Sequence, residues 1–120
     1  MKVRGQLNQP NQAGYSCSGI VIKVGEGITD IHPCDRVACA GAGIANYAEI
    51  VLVPRNLIVK VPHGCNLRDS CSVTLGAIAL PGVRRADPRL GDIVAVIGLR
   101  LLGLLTIQLL KANGCQRLLE

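Results

Sequence analysis

The sequence predicts a mixed α and β protein, with a β-rich first half and a β-α-β unit at the C-terminal end. In the first half, short β-branched segments recur between turn residues without helical periodicity. In the second half, a helical stretch is followed by a continuous apolar run and then by a second helical stretch. The predicted secondary structure of the 120-residue chain therefore changes near Pro62, from β structure to alternating α and β structure.

The composition is that of a globular protein with an aliphatic core. Hydrophobic residues make up 49% of the chain, which has no Phe or Trp and two tyrosines, Tyr15 and Tyr47. The formal net charge of +5 comes from scattered Lys and Arg residues, with a local cluster at Arg84, Arg85 and Arg89. Nucleic-acid binding requires a basic stripe, and single strands also require aromatic platforms for base stacking. We therefore expect no nucleic-acid partner.

Cysteine spacing and hydropathy indicate a reduced, cytoplasmic protein. The six cysteines form no C-x-x-C pair, and residues 1–12 are polar and lack the apolar core of a signal peptide. Residues 93–110 are apolar enough to suggest a membrane span, but Arg100 lies near their centre and two glycines divide them. A strand, a turn and a helix explain this segment, so we expect no membrane partner.

Four strands are predicted in the first half of the chain. Each is a short β-branched or apolar segment bounded by Gly, Pro, Asn or Asp. They comprise residues 18–24, 36–40, 48–53 and 57–61. Their close spacing favours an antiparallel or barrel-like arrangement.

Helical signals begin after Pro62. Asn66 can cap a helix N-terminus and Asp69 places a carboxylate near its positive end, so residues 67–86 are expected to be largely helical. Pro81 lacks the N–H group that would bond the carbonyl of Ala77, which predicts a break into two short helices.

The β-α-β unit is predicted to follow a turn at residues 88–92. Residues 93–97 form a continuous apolar run, typical of a parallel strand that is buried on both faces. Residues 101–113 have helical length and periodicity, and Gly114 occupies the position of a left-handed cap. A second strand is expected to begin at Arg117.

A glycine motif, G-L-R-L-L-G, lies at the junction of this strand and helix, from Gly98 to Gly103. A dinucleotide fold places G-x-G-x-x-G here, for a tight turn, a close backbone approach to the pyrophosphate and close helix packing. In this chain Arg100 replaces the second glycine. The pyrophosphate would bind the N–H groups of Leu101 and Leu102. The other interpretation is a packing turn that binds no nucleotide.

Five segments follow one another in a characteristic order. They are G-Y-S-C-S-G-I-V-I-K-V-G-E-G-I-T-D (14–30), D-R-V (35–37), A-E-I-V-L-V-P (48–54), T-L-G-A-I-A-L (74–80) and L-G-D-I-V-A-V-I-G-L (90–99). This order resembles the medium-chain dehydrogenase/reductase superfamily of zinc-type alcohol dehydrogenases. Within it, the first segment, A-C-A-G-A-G (38–43) and P-R-N-L (54–57) look most like a zinc-free branch of bacterial two-part oxidoreductases.

The resemblance implies a partial GroES-like catalytic domain at residues 1–72 and the start of a Rossmann dinucleotide-binding domain at residues 73–120. It implies NAD or NADP as cofactor, and hydride transfer to or from a small alcohol, aldehyde or sugar-derived carbonyl. The resemblance is also compatible with a homo-oligomer of the intact parent enzyme. We expect this chain to be a fragment of that enzyme without turnover of its own. The residues at its cofactor-binding positions are Thr74, Gly98, Leu99, Arg100, Leu101, Leu102 and Gly103.

Zinc is not expected, because the resemblance breaks down at the metal ligands. Zinc alcohol dehydrogenases carry G-H-E where this chain has Gly14, Tyr15 and Ser16, so Tyr15 replaces a histidine ligand. Val73 lies close to the position of a cysteine ligand. The segment with the first cysteine ligand is missing, and a catalytic zinc needs three protein ligands. Four other potential ligands are scattered along the chain: Cys17, His32, His63 and Cys71.

Three residues leave alternatives open. Tyr15 could donate a proton from the former metal position, or could be a buried structural tyrosine. Cys34 stands where the superfamily has a turn glycine, so strain is expected in this loop. Arg100 favours a non-catalytic scaffold or interaction module with a defective motif, whereas the strand and helix around it favour the enzyme.

Overall fold

The computed structural model describes residues 13–119, which form two compact units that meet in sequence between Cys71 and Ser72. Within these residues, no helix is both long enough and apolar enough to cross a membrane.

The first unit contains a three-stranded antiparallel sheet in the order β1-β2-β3. Its strands are β1 (Ser16–Ile20), β2 (Arg36–Ala40) and β3 (Ile58–Lys60), and a 3-10 turn (Arg55–Leu57) precedes β3. Cys17 pairs with Cys39 between β1 and β2, and Ala38 pairs with Val59 between β2 and β3. The predicted antiparallel β region is confirmed, and the strands predicted at 36–40 and 57–61 are close to their observed bounds.

The two faces of this sheet are covered differently, because successive side chains of a strand point to opposite sides. On one face, Val37, Cys39 and Ala45 form a buried apolar cluster. On the other, a short helix, α1 (Leu67–Ser70), packs against β1 and β2. Four partly buried residues complete the apolar cluster: Cys17, Val21, Val53 and Ile58.

Hydroxyl groups of β1 hold α1 in place. The Ser18 hydroxyl donates to the carbonyl of Leu67 at 2.5 Å, and the Ser16 hydroxyl donates to that of Cys71. The helix is also capped as predicted, since the side chain of Asn66 accepts a hydrogen bond from the backbone N–H of Arg68 at 2.9 Å. The Leu67 carbonyl also accepts the backbone N–H of Cys71 at 3.1 Å, so the Ser18 hydroxyl is its second donor and ties the helix to the sheet.

Charged groups stabilise the turn before β2. The Asp35 carboxylate accepts hydrogen bonds from the His32 backbone N–H at 2.8 Å and from the Lys60 ammonium at 2.7 Å. The bond from Lys60 is the main reason why the pKa of Asp35 lies below its usual value. Nearby, the Arg55 guanidinium forms a forked pair with Asp30 and lowers the pKa of that carboxyl in the same way.

The second unit contains the predicted β-α-β arrangement. Its elements are α2 (Val73–Ala86), β4 (Ile93–Ala95), α3 (Leu101–Ala112) and β5 (Arg117–Leu119). β4 and β5 pair in parallel, and α2 packs against α3 over a core of Val83, Leu110 and Cys115. Gly114 follows α3 with φ of 91°, so the left-handed residue predicted at this position is confirmed.

Two strand predictions in the first unit require correction. The strand predicted at 18–24 is observed at Ser16–Ile20. The ladder ends at Val21 because the Asp35 N–H bonds the carbonyl of His32 in the turn and not that of Val21. Residues 48–53 form no strand, since nothing within residues 13–119 supplies a ladder partner for them. Side chains of this segment nevertheless alternate between exposed and partly buried positions: Leu52 is 94% exposed, whereas Val53 packs on the apolar cluster.

Two predictions in the second half also require correction. Two helices are present, but the break lies at residues 71–72, and Pro81 is inside α2. Buried Ala79 and Val83 anchor the helix on both sides of Pro81 and offset the one lost backbone bond. β4 is not buried on both faces: Val94 packs on the core of the second unit, whereas Ile93 on the opposite face remains 64% exposed.

Cys34 adopts the left-handed conformation with φ of 73°, which disfavours any side chain with a Cβ. We predict that Cys34→Gly raises the free energy of unfolding by about 1 kcal/mol, because glycine removes this strain and its greater unfolded-state entropy offsets only part of the gain. The measurement is the urea midpoint at pH 7. Cys34→Ala keeps the strain and is the control; a glycine variant no more stable than the alanine variant would contradict the prediction.

The lowered pKa of Asp35 predicts an acid dependence of stability. A carboxyl whose pKa is depressed on folding contributes stability above its unfolded pKa of about 3.9, and this contribution is lost as the pH falls through the folded value. Asp35→Asn should therefore flatten the decline of the urea midpoint below about pH 4. Glu26→Gln, on an exposed turn without an ion pair among residues 13–119, should leave the decline unchanged. Equal slopes for both variants would argue against the Asp35 contribution.

Candidate functional site

The predicted dinucleotide turn links the end of the β4 segment to the start of α3. Gly98 has φ of 97°, in the region that glycine occupies without cost. Arg100 is the N-cap of α3, and its carbonyl accepts the N–H of Leu104 at 3.0 Å as the first helical bond. Residues 98–103 therefore lie together at the positive end of a twelve-residue helix.

Gly103 is held in the closest backbone contact of the turn. A Cβ built at this position would overlap the carbonyl oxygen of Gly98. Gly103 is thus required by the packing of the helix against the turn, and Gly98 by its positive φ, whether or not a ligand is present. This matches the role that the third glycine has in a dinucleotide fold.

Arg100 occupies its position without backbone strain. Its φ of −74° and ψ of 179° are open to any residue, so a glycine here would serve the approach of a ligand and not the conformation of the chain. The side chain is exposed and forms no hydrogen bond or ion pair with another residue in the described range 13–119. An unneutralised guanidinium beside a helix N-terminus creates a local positive potential that favours an anion.

The remaining predicted cofactor residues divide into two groups. Leu99, Leu101 and Leu102 flank Arg100 and are each between 42% and 51% exposed, so the start of α3 is open to solvent. Thr74 lies apart from them in sequence, in the first turn of α2, and is half-buried.

In the first unit, the backbone around Gly14 positions both tyrosines of the chain. Gly14 has φ of 96°, and a Cβ there would lie 3.2 Å from the ring of Tyr47. Tyr15 follows directly and its carbonyl accepts the N–H of Gly41 at 3.0 Å. Tyr15 is 44% exposed and Tyr47 80% exposed, so the interpretation of Tyr15 as a buried structural residue is wrong. Tyr47 was not singled out from sequence, although it is the only other aromatic residue.

The residues at the positions where the resemblance places the zinc ligands differ from a zinc donor set. A phenol at Tyr15, a hydroxyl at Ser16 and an aliphatic side chain at Val73 do not supply the three nitrogen, sulfur or carboxylate ligands of a catalytic site. In the part of the chain that the structure describes, no three His, Cys, Asp or Glu side chains converge on one point.

The contact at Gly103 yields a stability prediction. Gly103→Ala should lower the free energy of unfolding of the second unit by about 1–3 kcal/mol, because the new methyl group forces the turn or α3 to shift. Gly82→Ala in α2 is the matched control, since its Cβ meets nothing within 4 Å and should stabilise the helix by about 0.5–1 kcal/mol. Amide hydrogen exchange of α3 and urea unfolding measure both. Equal stability of the two variants would refute the close contact.

Comparison with known proteins identifies a family and several relatives of this chain. Residues 1–63 match the alcohol dehydrogenase GroES-like domain family. The chain is 31% identical to (R,R)-butanediol dehydrogenase of Bacillus subtilis, with 88% of this chain and 37% of the relative covered. It is 32% identical to D-guloside 3-dehydrogenase of Escherichia coli, with 86% and 29% covered. The chain thus spans about a third of the length of these curated relatives.

Solved structures show the same likeness. The crystal structure of the Bacillus subtilis 2R,3R-butanediol dehydrogenase superposes with a TM-score of 0.79 at 30% identity, and covers 91% of this chain and 38% of the other. A Sinorhizobium meliloti protein described as a zinc-binding dehydrogenase, bound to NADP, gives a TM-score of 0.76 at 26% identity, with 84% and 37% covered. The chain therefore belongs to the medium-chain, zinc-type alcohol dehydrogenase superfamily.

Proposed function

We propose that this chain is part of a nicotinamide-dependent oxidoreductase that transfers hydride to or from an alcohol, an aldehyde or a sugar-derived carbonyl. The observation that carries the proposal is the turn from Gly98 to Gly103, whose two glycines have the conformation and close packing of a dinucleotide turn. Membership of the superfamily and the butanediol and guloside dehydrogenases among the relatives support the reaction class.

The two units would supply different parts of this enzyme. Residues 1–72 correspond to part of the GroES-like catalytic domain, and residues 73–120 to the start of the Rossmann domain. The parallel pairing of β4 and β5 around α3 supports the second assignment. The enzyme would act on a small molecule in the cytoplasm, without a nucleic-acid or membrane partner.

The chain's own residues fit a dinucleotide with one exception. The backbone N–H groups of Leu101 and Leu102, which lack intrahelical acceptors, would bind the pyrophosphate with help from the helix dipole. Gly98, Leu99 and Gly103 would shape the turn around it, and Thr74 would approach the nicotinamide. When bound, NAD or NADP would supply the hydride chemistry. The exception is Arg100, whose side chain stands where close backbone approach is needed.

Proton transfer would fall to the first unit, because no zinc is expected to polarise the substrate. The exposed hydroxyl of Tyr15 is the candidate proton donor, since it occupies the former metal position. The ring of Tyr47, held over Gly14, would provide an apolar surface for the substrate beside it.

A non-catalytic scaffold or interaction module is the second candidate, and Arg100 is the observation that favours it. If the guanidinium blocks the pyrophosphate, the turn from Gly98 to Gly103 remains a packing device of the second unit. The two candidates differ in whether the chain binds a dinucleotide.

Arg100→Gly tests this difference. If the turn binds pyrophosphate, calorimetric titration with NAD and NADP should show a change in affinity: tighter binding if the side chain obstructs the approach, or roughly tenfold to hundredfold weaker binding if the guanidinium contributes about 1.5–3 kcal/mol through a charge-assisted contact. Arg85→Ala, on the exposed face of α2, controls for the lost charge and should leave binding unchanged. If neither the parent chain nor the variant, each extended at both ends toward the length of the relatives, binds at millimolar concentration, the scaffold candidate is correct.

Zinc content is a separate prediction. After dialysis against a buffer without chelator, elemental analysis of the purified chain should find far less than one zinc per chain, because the donor set at Tyr15, Ser16 and Val73 does not fit the metal. Near-stoichiometric zinc that survives dialysis would contradict this expectation.

A further inference from the structure

Cys17 and Cys39 lie directly opposite each other on the central strands of the first unit. The N–H of Gly41 bonds the carbonyl of Tyr15, and alternate pairs of an antiparallel ladder exchange such bonds, so Cys17 and Cys39 form a hydrogen-bonded pair. The Cα atoms of such a pair are about 5.5 Å apart, a separation that a disulfide bond commonly spans.

The two thiols already touch. The two sulfur atoms are within hydrogen-bonding reach of each other, and both side chains belong to the apolar cluster of the first unit. Both also line a cavity of about 430 Å³ in that unit, through which a small oxidant can reach them. Cys17 is the less buried of the two, and this marks it as the sulfur that meets the oxidant first.

The geometry points to a redox-modification site: Cys17 and Cys39 form an intramolecular disulfide when the chain meets a hydroperoxide. In the first step the Cys17 sulfur attacks the peroxide, the O–O bond breaks, and a sulfenic acid and one water form. In the second, the Cys39 sulfur attacks the sulfenic sulfur, the S–S bond forms, and a second water leaves. The two thiols lose two electrons and two protons, and hydrogen peroxide is reduced to two waters.

Burial makes the reaction slow, and the pairing of the two cysteines across the ladder determines which disulfide forms. It raises the pKa of the Cys17 thiol, and that of Cys39 to about 11, so few thiolates exist near neutral pH. Among residues 13–119, the exposed cysteines have no cysteine opposite them in the strand ladder. Cys71 is near enough to Cys17 to affect its pKa, but its thiol bonds the carbonyl of Arg68 at 2.9 Å. A bond between residues 17 and 39 would fasten β1 to β2 and restrict the unfolded chain.

Peptide mapping of the oxidised protein tests the proposal. The reduced 120-residue chain is treated with hydrogen peroxide, the remaining thiols are blocked with N-ethylmaleimide, and the chain is digested with trypsin. Cleavage after Lys and Arg leaves Cys17 in residues 5–23 and Cys39 in residues 37–55, each without another cysteine. We expect these two peptides to appear linked, with the loss of two hydrogens. The thermal midpoint should rise on oxidation and return after dithiothreitol.

Two variants make the result specific. Replacing the exposed Cys34, Cys65 and Cys71 with serine keeps the pair and should keep the linked peptide. Cys39→Ser should abolish it and leave Cys17 open to N-ethylmaleimide or to overoxidation. The proposal is overturned if peptide 5–23 links to another cysteine, or if both peptides remain fully blocked by N-ethylmaleimide while the exposed cysteines oxidise. These outcomes do not involve dinucleotide binding and so are independent of the proposed function.

Discussion

The contact between Gly98 and Gly103 is the constraint on which the second unit depends. The first turn of α3 lies directly against the carbonyl of Gly98, so no Cβ fits at residue 103. This contact sets the angle at which the helix leaves the β4 segment. That angle brings Leu110 onto Val83 and allows β5 to return in parallel beside β4. The same contact directs the unbonded N–H groups of the helix toward the turn. The packing of α3 and the orientation of these N–H groups thus have one steric cause.

The charge of Arg100 favours a bound anion at this turn, whereas the bulk of its side chain hinders the approach of one. The guanidinium adds charge where the helix dipole is already positive, which costs stability unless an anion is bound. It also fills space that a glycine would leave empty. Since its backbone angles suit any residue, nothing in the conformation of the turn selects or excludes arginine. The identity of residue 100 is therefore a question about the ligand and not about the fold.

Local signals in the sequence predicted more of this fold than non-local ones. The cap at Asn66 and the left-handed residues at Gly98 and Gly114 depend on a few neighbouring atoms, and all were predictable. The strand expected at residues 48–53 requires a partner that the described residues do not provide, and no local pattern reveals this. The continuation of α2 through Pro81 depends on burial of Ala79 and Val83, which also follows only from tertiary packing.

The site was predictable to a similar extent. The glycine turn could be located from spacing alone, whereas Tyr47 could not, because its relation to Gly14 arises from a loop that returns to the start of β1. This relation explains how an exposed tyrosine keeps its place at residue 15. Gly14 is confined by its positive φ and by the Tyr47 ring, and the carbonyl of Tyr15 is bonded to Gly41. The backbone, and not side-chain packing, therefore fixes Tyr15.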